Sequence, residues 1–263
     1  MKMHYSILIL GGDVAAVSAC EAARAQKPDV SIAILGGERS LPYIRPLLSK
    51  MPLQHFNVKN ILIHDEKWYE EHGIVYVPGV RVLRLNVEER CVETTAGCFS
   101  YDKCIYALGA ENTMPPYPGT ELNGVCSIRT ESDIRKLQRW ALNSRHAVVI
   151  GGGSIGIEAA YQLAEYGLEV TMLLRSGLMF KQLDKECADY MKSRITKYSV
   201  LTGIDVLEIA GNGRANADIA KEAGMEVESG YTEDVYEDGK MVGTFMLGNL
   251  RSMEMKKRLI GGE

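Results

Sequence analysis

Short apolar runs alternate with amphipathic stretches along most of the chain, and glycines stand at the junctions. Tyr5–Leu10 reads as a continuous apolar strand. Gly11-Gly-Asp-Val-Ala-Ala16 follows, then an alanine-rich helix to about Ala25 and a second strand, Val30–Leu35. The same order returns at His146–Val149, a strand that runs into Ile150-Gly-Gly-Gly-Ser-Ile-Gly-Ile-Glu-Ala159. There the pattern predicts a helix from about Ile155 to Tyr166, a stop at Gly167 and a strand at Leu168–Leu174. The chain thus holds two strand–glycine turn–helix–strand units.

Between the units, Leu41–Lys50 is a proline-punctuated loop leading to a short helix, and Asp65–His72 reads as another short helix. Ile74–Val77, Arg81–Leu85, Cys91–Thr94 and Cys98–Tyr101 predict a small antiparallel meander. Lys103–Leu108 is a buried-type strand ending at Gly109, and Pro115, Pro116 and Pro118 mark an extended crossing between domains. A helix begins at Thr130 or Ser132 and runs to about Asn143. After the second unit come an amphipathic helix, Leu183–Lys197, and a strand, Val200–Ile209. A loop at 211–216, a helix at 217–223, a hairpin around Asp238-Gly239 and a helix at 251–259 complete the expected order.

Composition narrows the function without naming it. A chain of 263 residues with a net charge of −4 and no long basic run gives no reason to expect nucleic acid as a partner. It starts directly on a strand, and no apolar run reaches the roughly 20 residues that span a bilayer. A cytoplasmic protein without a signal peptide or membrane contact is therefore expected. None of the cysteines, Cys20, Cys91, Cys98, Cys104, Cys126 and Cys187, forms a CxxC. Their scatter argues against a disulfide framework, a local redox pair or a metal site, and each reads as a small buried residue.

The glycine turns carry the chemistry. Gly151, Gly153 and Gly156 fill the three places of GxGxxG. The first permits the tight turn, the second lets a pyrophosphate approach the backbone, and the third lets helix pack on strand. With Ser154 and Ile155, they place the free N–H groups of a helix N-terminus toward a phosphate. In the first unit Gly11 keeps the first place, Ala16 makes a small change at the third, and Asp13 brings a Cβ and a negative charge to the second. Glu38 lies just past the second strand, where a carboxylate either accepts both hydroxyls of an adenosine ribose or is a solvated loop charge. Two such units imply two dinucleotides, most simply FAD and NAD(P)H.

These residues, with Leu41-Pro-Tyr-Ile-Arg-Pro46, Leu48-Ser-Lys50, Ala107-Leu-Gly-Ala110 and Arg129-Thr130, resemble the pyridine nucleotide-disulfide oxidoreductase superfamily. Within it, the chain is similar to the NAD(P)H:rubredoxin and ferredoxin reductases and to the flavin half of nitrite reductases. The resemblance implies an α/β fold of two Rossmann-like three-layer domains. An FAD domain would comprise 1–109 and 213–263, and a shortened NAD(P) domain would be inserted at 110–212. It places Gly11, Gly12, Ala15 and Ala16 along the FAD pyrophosphate and Glu38 on its ribose. It places Arg45 near its phosphates, Val82 at the adenine, Ala107 and Gly109 in a flanking turn, and Lys50 and Arg129 beside the flavin. Glu158 would meet the nicotinamide. Where relatives carry a ribose-binding acid, this chain has Leu174, followed by Arg175, which either pairs with a 2′-phosphate or is a solvated strand-end charge. Lys50 stands where disulfide- and peroxide-reducing relatives often carry a cysteine.

The resemblance also shows where the chain departs from its relatives. A long β-rich segment before Gly213 is missing, and the Gly-Asp that holds the flavin ribityl chain has no counterpart at Tyr231 or Thr232. A parallel sheet without its last strands exposes backbone and core unless another subunit, as in a homo-oligomer, covers it. Two readings follow. In one, the protein is an oxidoreductase that takes hydride from NAD(P)H onto FAD and passes electrons to a rubredoxin- or ferredoxin-like partner, with Lys50 and Glu158 as its catalytic residues. In the other, it is a degenerate nucleotide-binding protein that acts by association.

Overall fold

A computed structural model describes residues 3–112, 114 and 124–203, and the backbone of 213–215, 234–237 and 240–244. The chain divides into two compact units. The first comprises 1–43, 62–111 and 215–263, and the second 44–61 and 112–214.

The first unit is built on a six-stranded sheet of order β3-β2-β1-β6-β5-β4. Its strands are β1 (Met3–Leu10), β2 (Ile32–Leu35), β3 (Ile74–Val77), β4 (Val82–Asn86), β5 (Cys91–Thr94) and β6 (Gly97–Tyr106). Strands β1, β2, β3 and β6 run parallel, while β5 and β4 add antiparallel at one edge. Alternation along β1 sends Leu8 and Leu10 to a core with Ala33, Leu35, Val92 and Phe99. Ile7 and Ile9 go to the opposite face, where Ala16 and Cys20 of α1 (Val14–Gln26) and Tyr69 of α2 (Glu66–Glu71) cover them. Burial on both faces is why the central strands read as unbroken apolar runs.

The structure corrects three expectations here. Ile74–Val77 is not part of the meander, since it pairs parallel with β2 at the far edge of the sheet. Cys98–Tyr101 and Lys103–Leu108 are largely one ten-residue strand, β6, because Asp102 is exposed and leaves the ladder intact. Cys91 and Cys98 are joined by a disulfide. Cys91 lies opposite Ser100 and Cys98 opposite Glu93, so the two cysteines are diagonal neighbours across the β5–β6 ladder. That proximity comes from strand register, which the spacing of seven residues does not reveal. The other four cysteines are free. Denatured without reductant, the chain is expected to titrate four thiols, and all six after reduction. Six before reduction would show that the pair is a dithiol.

After β7 (Ala110–Asn112), the second unit contains α3 (Glu131–Ala141), β8 (His146–Ile150), α4 (Ser154–Glu165), β9 (Glu169–Leu174), α5 (Lys185–Arg194) and β10 (Ser199–Thr202). Helix α3 starts with a capping box. Thr130 Oγ1 accepts from Asp133 N at 3.2 Å, and the Asp133 carboxylate accepts from Thr130 N at 2.9 Å. Thr130, not Ser132, is therefore the cap. Asp184 caps α5, which ends three residues before the predicted Lys197. The three described strands form a parallel sheet of order β10-β9-β8. Val148 on β8 is 60 % exposed and Leu201 on β10 is 47 % exposed.

Residues 213–215 form a short strand, β11, instead of a loop. The hairpin is present as β12 (Asp234–Glu237) and β13 (Lys240–Thr244). The proline crossing at 115–118, the end of the strand predicted to Ile209, the helices at 217–223 and 251–259, Tyr231 and Thr232 lie outside the described residues. No helix among the described residues is long and apolar enough to cross a membrane.

Candidate functional site

Each glycine turn is shaped by sterics that differ from position to position. Gly11 has φ +122°, and a Cβ there would lie 1.9 Å from the Ala107 carbonyl oxygen. Two backbone hydrogen bonds fix this approach, Gly11 N to Leu35 O at 2.9 Å and Ala107 N to Leu10 O at 2.7 Å. The first unit thereby brings Gly11, Gly12 and Ala107 together, with Gly109 (φ +68°) just beyond. Ala16 is fully buried at the third position of the turn, and Ala15 beside it is half-buried. The Asp13 carboxylate folds back to accept from Val14 N at 2.9 Å, which caps α1.

Glu38 is half-buried, and its Oε2 accepts a hydrogen bond from the hydroxyl of buried Tyr43 at 2.7 Å, so it is not a freely solvated loop charge. Tyr76, which the sequence did not single out, packs its hydroxyl against Gly12 and Gly36 and donates to Ser40 O at 2.9 Å. Val82 is buried in the core of β4 beneath the antiparallel edge.

In the second unit Gly151 has φ +111°. A Cβ on Gly156 would stand 2.3 Å from Gly151 O, so only glycine lets α4 begin so close to β8. Gly153, the N-cap of α4, has no atom within 4 Å of a built Cβ and no side-chain cap. Ser154 and Ile155 follow it, both exposed. Leu174 is buried, its methyl groups turned under Gly152, while Arg175 is exposed at the strand end. Met179 N also binds Gly152 O at 2.8 Å, so the segment after β9 holds this turn from behind.

Segment 44–61 belongs to the same unit and brings Lys50 to α4. Lys50 Nζ lies 3.9 Å from Glu158 Oε1. The hydroxyl of buried Ser49 donates to Glu158 Oε2 at 2.5 Å, and the Gln162 amide donates to Lys50 O at 3.1 Å. Arg45 Nη1 donates to Arg129 O at 2.6 Å, and Asp133 takes Arg129 N at 3.1 Å. The sequence paired neither Arg45 with Arg129 nor Lys50 with Glu158, since the partners stand 84 and 108 positions apart. Ser49 enters the sequence reading only within Leu48-Ser-Lys50, without a role, and Gln162 carries no signal of its own.

These surroundings test whether dinucleotides fit. The second turn does: its N-terminal N–H groups lack a side-chain cap, and the missing Cβ of Gly153 leaves the room a pyrophosphate needs. The first turn has the close approach at Gly11, the small buried Ala16 and a hydrogen-bonded acid at Glu38. There the Asp13 carboxylate takes Val14 N, and its negative charge opposes a pyrophosphate at the same helix N-terminus. Among the described residues no group of three His, Cys, Asp or Glu side chains could hold a metal ion.

Known proteins place the chain in a family. Residues 5–242 match the pyridine nucleotide-disulphide oxidoreductase family. The chain is 28 % identical over 282 residues to the ferredoxin reductase component of chlorobenzene dioxygenase from Cupriavidus sp. (strain PS12), covering 97 % of this chain and 69 % of that one. It is 31 % identical over 215 residues to the assimilatory nitrate reductase electron transfer subunit of Bacillus subtilis (strain 168), covering 80 % and 28 %. Among solved structures, a ferredoxin reductase from Rhodopseudomonas palustris superposes with a TM-score of 0.75 at 26 % identity, covering 84 % of this chain and 62 % of that chain. The chain spans less than two thirds of most of these proteins' length. The two glycine turns and the match over residues 5–242 make this chain a member of the pyridine nucleotide-disulphide oxidoreductase family.

Proposed function

We propose that the protein is an FAD-dependent NAD(P)H oxidoreductase that hands electrons to a small ferredoxin- or rubredoxin-like protein. The observation that carries this reading is the Lys50–Glu158 pair, set on an intact dinucleotide turn. Two of the relatives above are ferredoxin reductases by name, which supports a small redox protein as acceptor. The flavin, when bound, supplies the hydride acceptor and the single-electron donor. The chain's own residues bind, align and set charge. Gly151, Gly153, Ser154, Ile155 and Gly156 would hold the NAD(P)H pyrophosphate. Gly11, Gly12, Ala15, Ala16, Glu38, Arg45, Val82, Ala107, Gly109 and Arg129 would hold FAD. Glu158 would orient the nicotinamide end, and the Lys50 ammonium would stabilise negative charge developing at the flavin. An ammonium cannot attack a disulfide, so Lys50 in place of a cysteine argues against disulfide reduction.

Arg175 stands exposed at the end of β9 with the family acid replaced by inward-turned Leu174, which favours NADPH over NADH. A supply of NAD(P)H and a small redox acceptor favour a cytoplasmic site of action. The test is an absorbance spectrum of the purified protein, taken before and after anaerobic NADPH and NADH. Flavin bands that bleach, faster with NADPH, are expected. A chain that takes up no flavin even after soaking with FAD would leave the non-catalytic binding reading in its place.

A further inference from the structure

The proposed reading assigns work to Lys50 and Glu158 and leaves Ser49 without a role. Ser49 is 6 % exposed, and its hydroxyl spends its one hydrogen on Glu158 Oε2 at 2.5 Å. The other carboxylate oxygen faces Lys50 Nζ at 3.9 Å. Glu158 is thereby used from both sides: a short charge-assisted hydrogen bond fixes one oxygen, and a looser ionic contact engages the other. The backbone makes this arrangement specific. Leu48 N binds Arg45 O at 3.0 Å and Met51 N binds Leu47 O at 3.0 Å, which coils residues 45–51 into a tight turn. Gln162, one helical turn after Glu158, grips Lys50 O from the same face of α4. The dipeptide Ser49-Lys50 is therefore clamped to α4 at two heights, and the Ser49 hydroxyl meets the carboxylate in one orientation.

Resting on the oxidoreductase reading above, we propose that Ser49 is a positioning residue for hydride transfer. Its bond to Oε2 sets the plane of the Glu158 carboxylate and keeps Glu158 from closing both oxygens on Lys50. The Lys50 ammonium then remains half-exposed, its charge only partly spent on Glu158, and so serves the negative charge that develops at the flavin. Without the hydroxyl, nothing else described for Glu158 opposes that collapse. The carboxylate then neutralises the ammonium and loses its alignment toward the nicotinamide.

The test uses the full chain with three variants. Ser49→Ala is expected to slow anaerobic flavin reduction by NADPH about tenfold, while the Kd for NADP+ by calorimetry stays within about twofold of the parent. Ser49→Thr, which keeps the hydroxyl, is expected to restore most of the rate. In the flavin-free chain, NMR relaxation of the Glu158 γ-methylene is expected to show greater mobility in Ser49→Ala than in the parent. Glu158→Gln separates the two layers of the argument. If it slows reduction while Ser49→Ala leaves both rate and methylene mobility unchanged, Ser49 has no positioning role and the site reading stands. If neither variant affects reduction, the assignment of Glu158 to the reaction falls, and the Ser49 proposal falls with it. A Ser49→Ala chain that loses melting temperature and nucleotide affinity together, without rescue by threonine, would reduce Ser49 to a packing role and overturn the proposal.

Discussion

Gly153→Val is expected to abolish tight binding of NADP+ and NAD+ while leaving the fold of the second unit intact. Gly153 has φ −75° and ψ 173°, an extended conformation open to any residue. A Cβ built there meets no atom within 4 Å. The folding cost is thus confined to replacing glycine by a poorer N-cap, about 1 kcal/mol or less. A nucleotide faces a different situation. Its pyrophosphate must approach the backbone where the valine methyls would stand, and affinity is expected to fall about 100-fold, roughly 2.7 kcal/mol. Gly156→Val is the contrasting variant. Its Cβ would press to 2.3 Å from Gly151 O, so α4 must leave β8, and stability and binding are lost together. Calorimetric titration alongside thermal melting of the two variants separates these costs. A Gly153→Val chain that binds nucleotide as well as the parent would remove the phosphate from this turn.

That contrast also shows which parts of the protein were legible in the sequence. The glycine turns were, because each glycine answers a steric demand set within a few residues of itself. Gly151 needs positive φ, Gly156 needs contact with Gly151 O, and both demands travel with the strand–turn–helix pattern. The cap of α3 was local as well. Two residues, Thr130 and Ser132, suit it in the sequence, and the reciprocal bond between Thr130 and Asp133 selects Thr130. Strand direction was not legible. Ile74–Val77 has the same apolar content whether it pairs parallel or antiparallel, and only the crossover through α2 places it beside β2. The disulfide escaped for a related reason, since register along β5 and β6 decides which side chains meet.

In the site the division is the same. Charged residues at motif positions could be named one by one, but not their partners. Tyr43 on Glu38 and Ser49 on Glu158 are hydroxyls that become specific only when the chain folds back on itself. A buried serine and a buried tyrosine have no periodicity that distinguishes them from packing residues. At Leu174 the sequence shows only the loss of an acid. The structure adds that its side chain fills the space under Gly152, so the substitution also supports the turn.

Lys50→Glu is expected to lower the rate constant for flavin reduction by NAD(P)H on the order of 100- to 1,000-fold, the scale of losing one aligned charge-stabilising donor. The substitution acts twice. It removes the ammonium that would meet developing negative charge, and it sets a second carboxylate against Glu158, which Ser49 still holds. Lys50→Met keeps the length of the side chain and discards its charge, and a smaller loss, about tenfold to 100-fold, is expected. The Lys50 side chain is 54 % exposed and its contact with Glu158 is long, so the pair itself adds little to folding. Melting temperatures of both variants should therefore stay close to that of the parent, which isolates the effect on the reaction. The double variant Lys50→Glu with Glu158→Lys restores an opposite-charge pair but moves the cation onto α4. If the reaction needs the cation on the 45–51 turn, the swap restores the opposite-charge pair and not the rate. Anaerobic stopped-flow bleaching of the flavin band measures all three variants. Parental rates in Lys50→Glu would place the hydride-transfer machinery elsewhere. Full recovery in the swapped variant would mean that the net charge of the pair matters and the position of Lys50 does not.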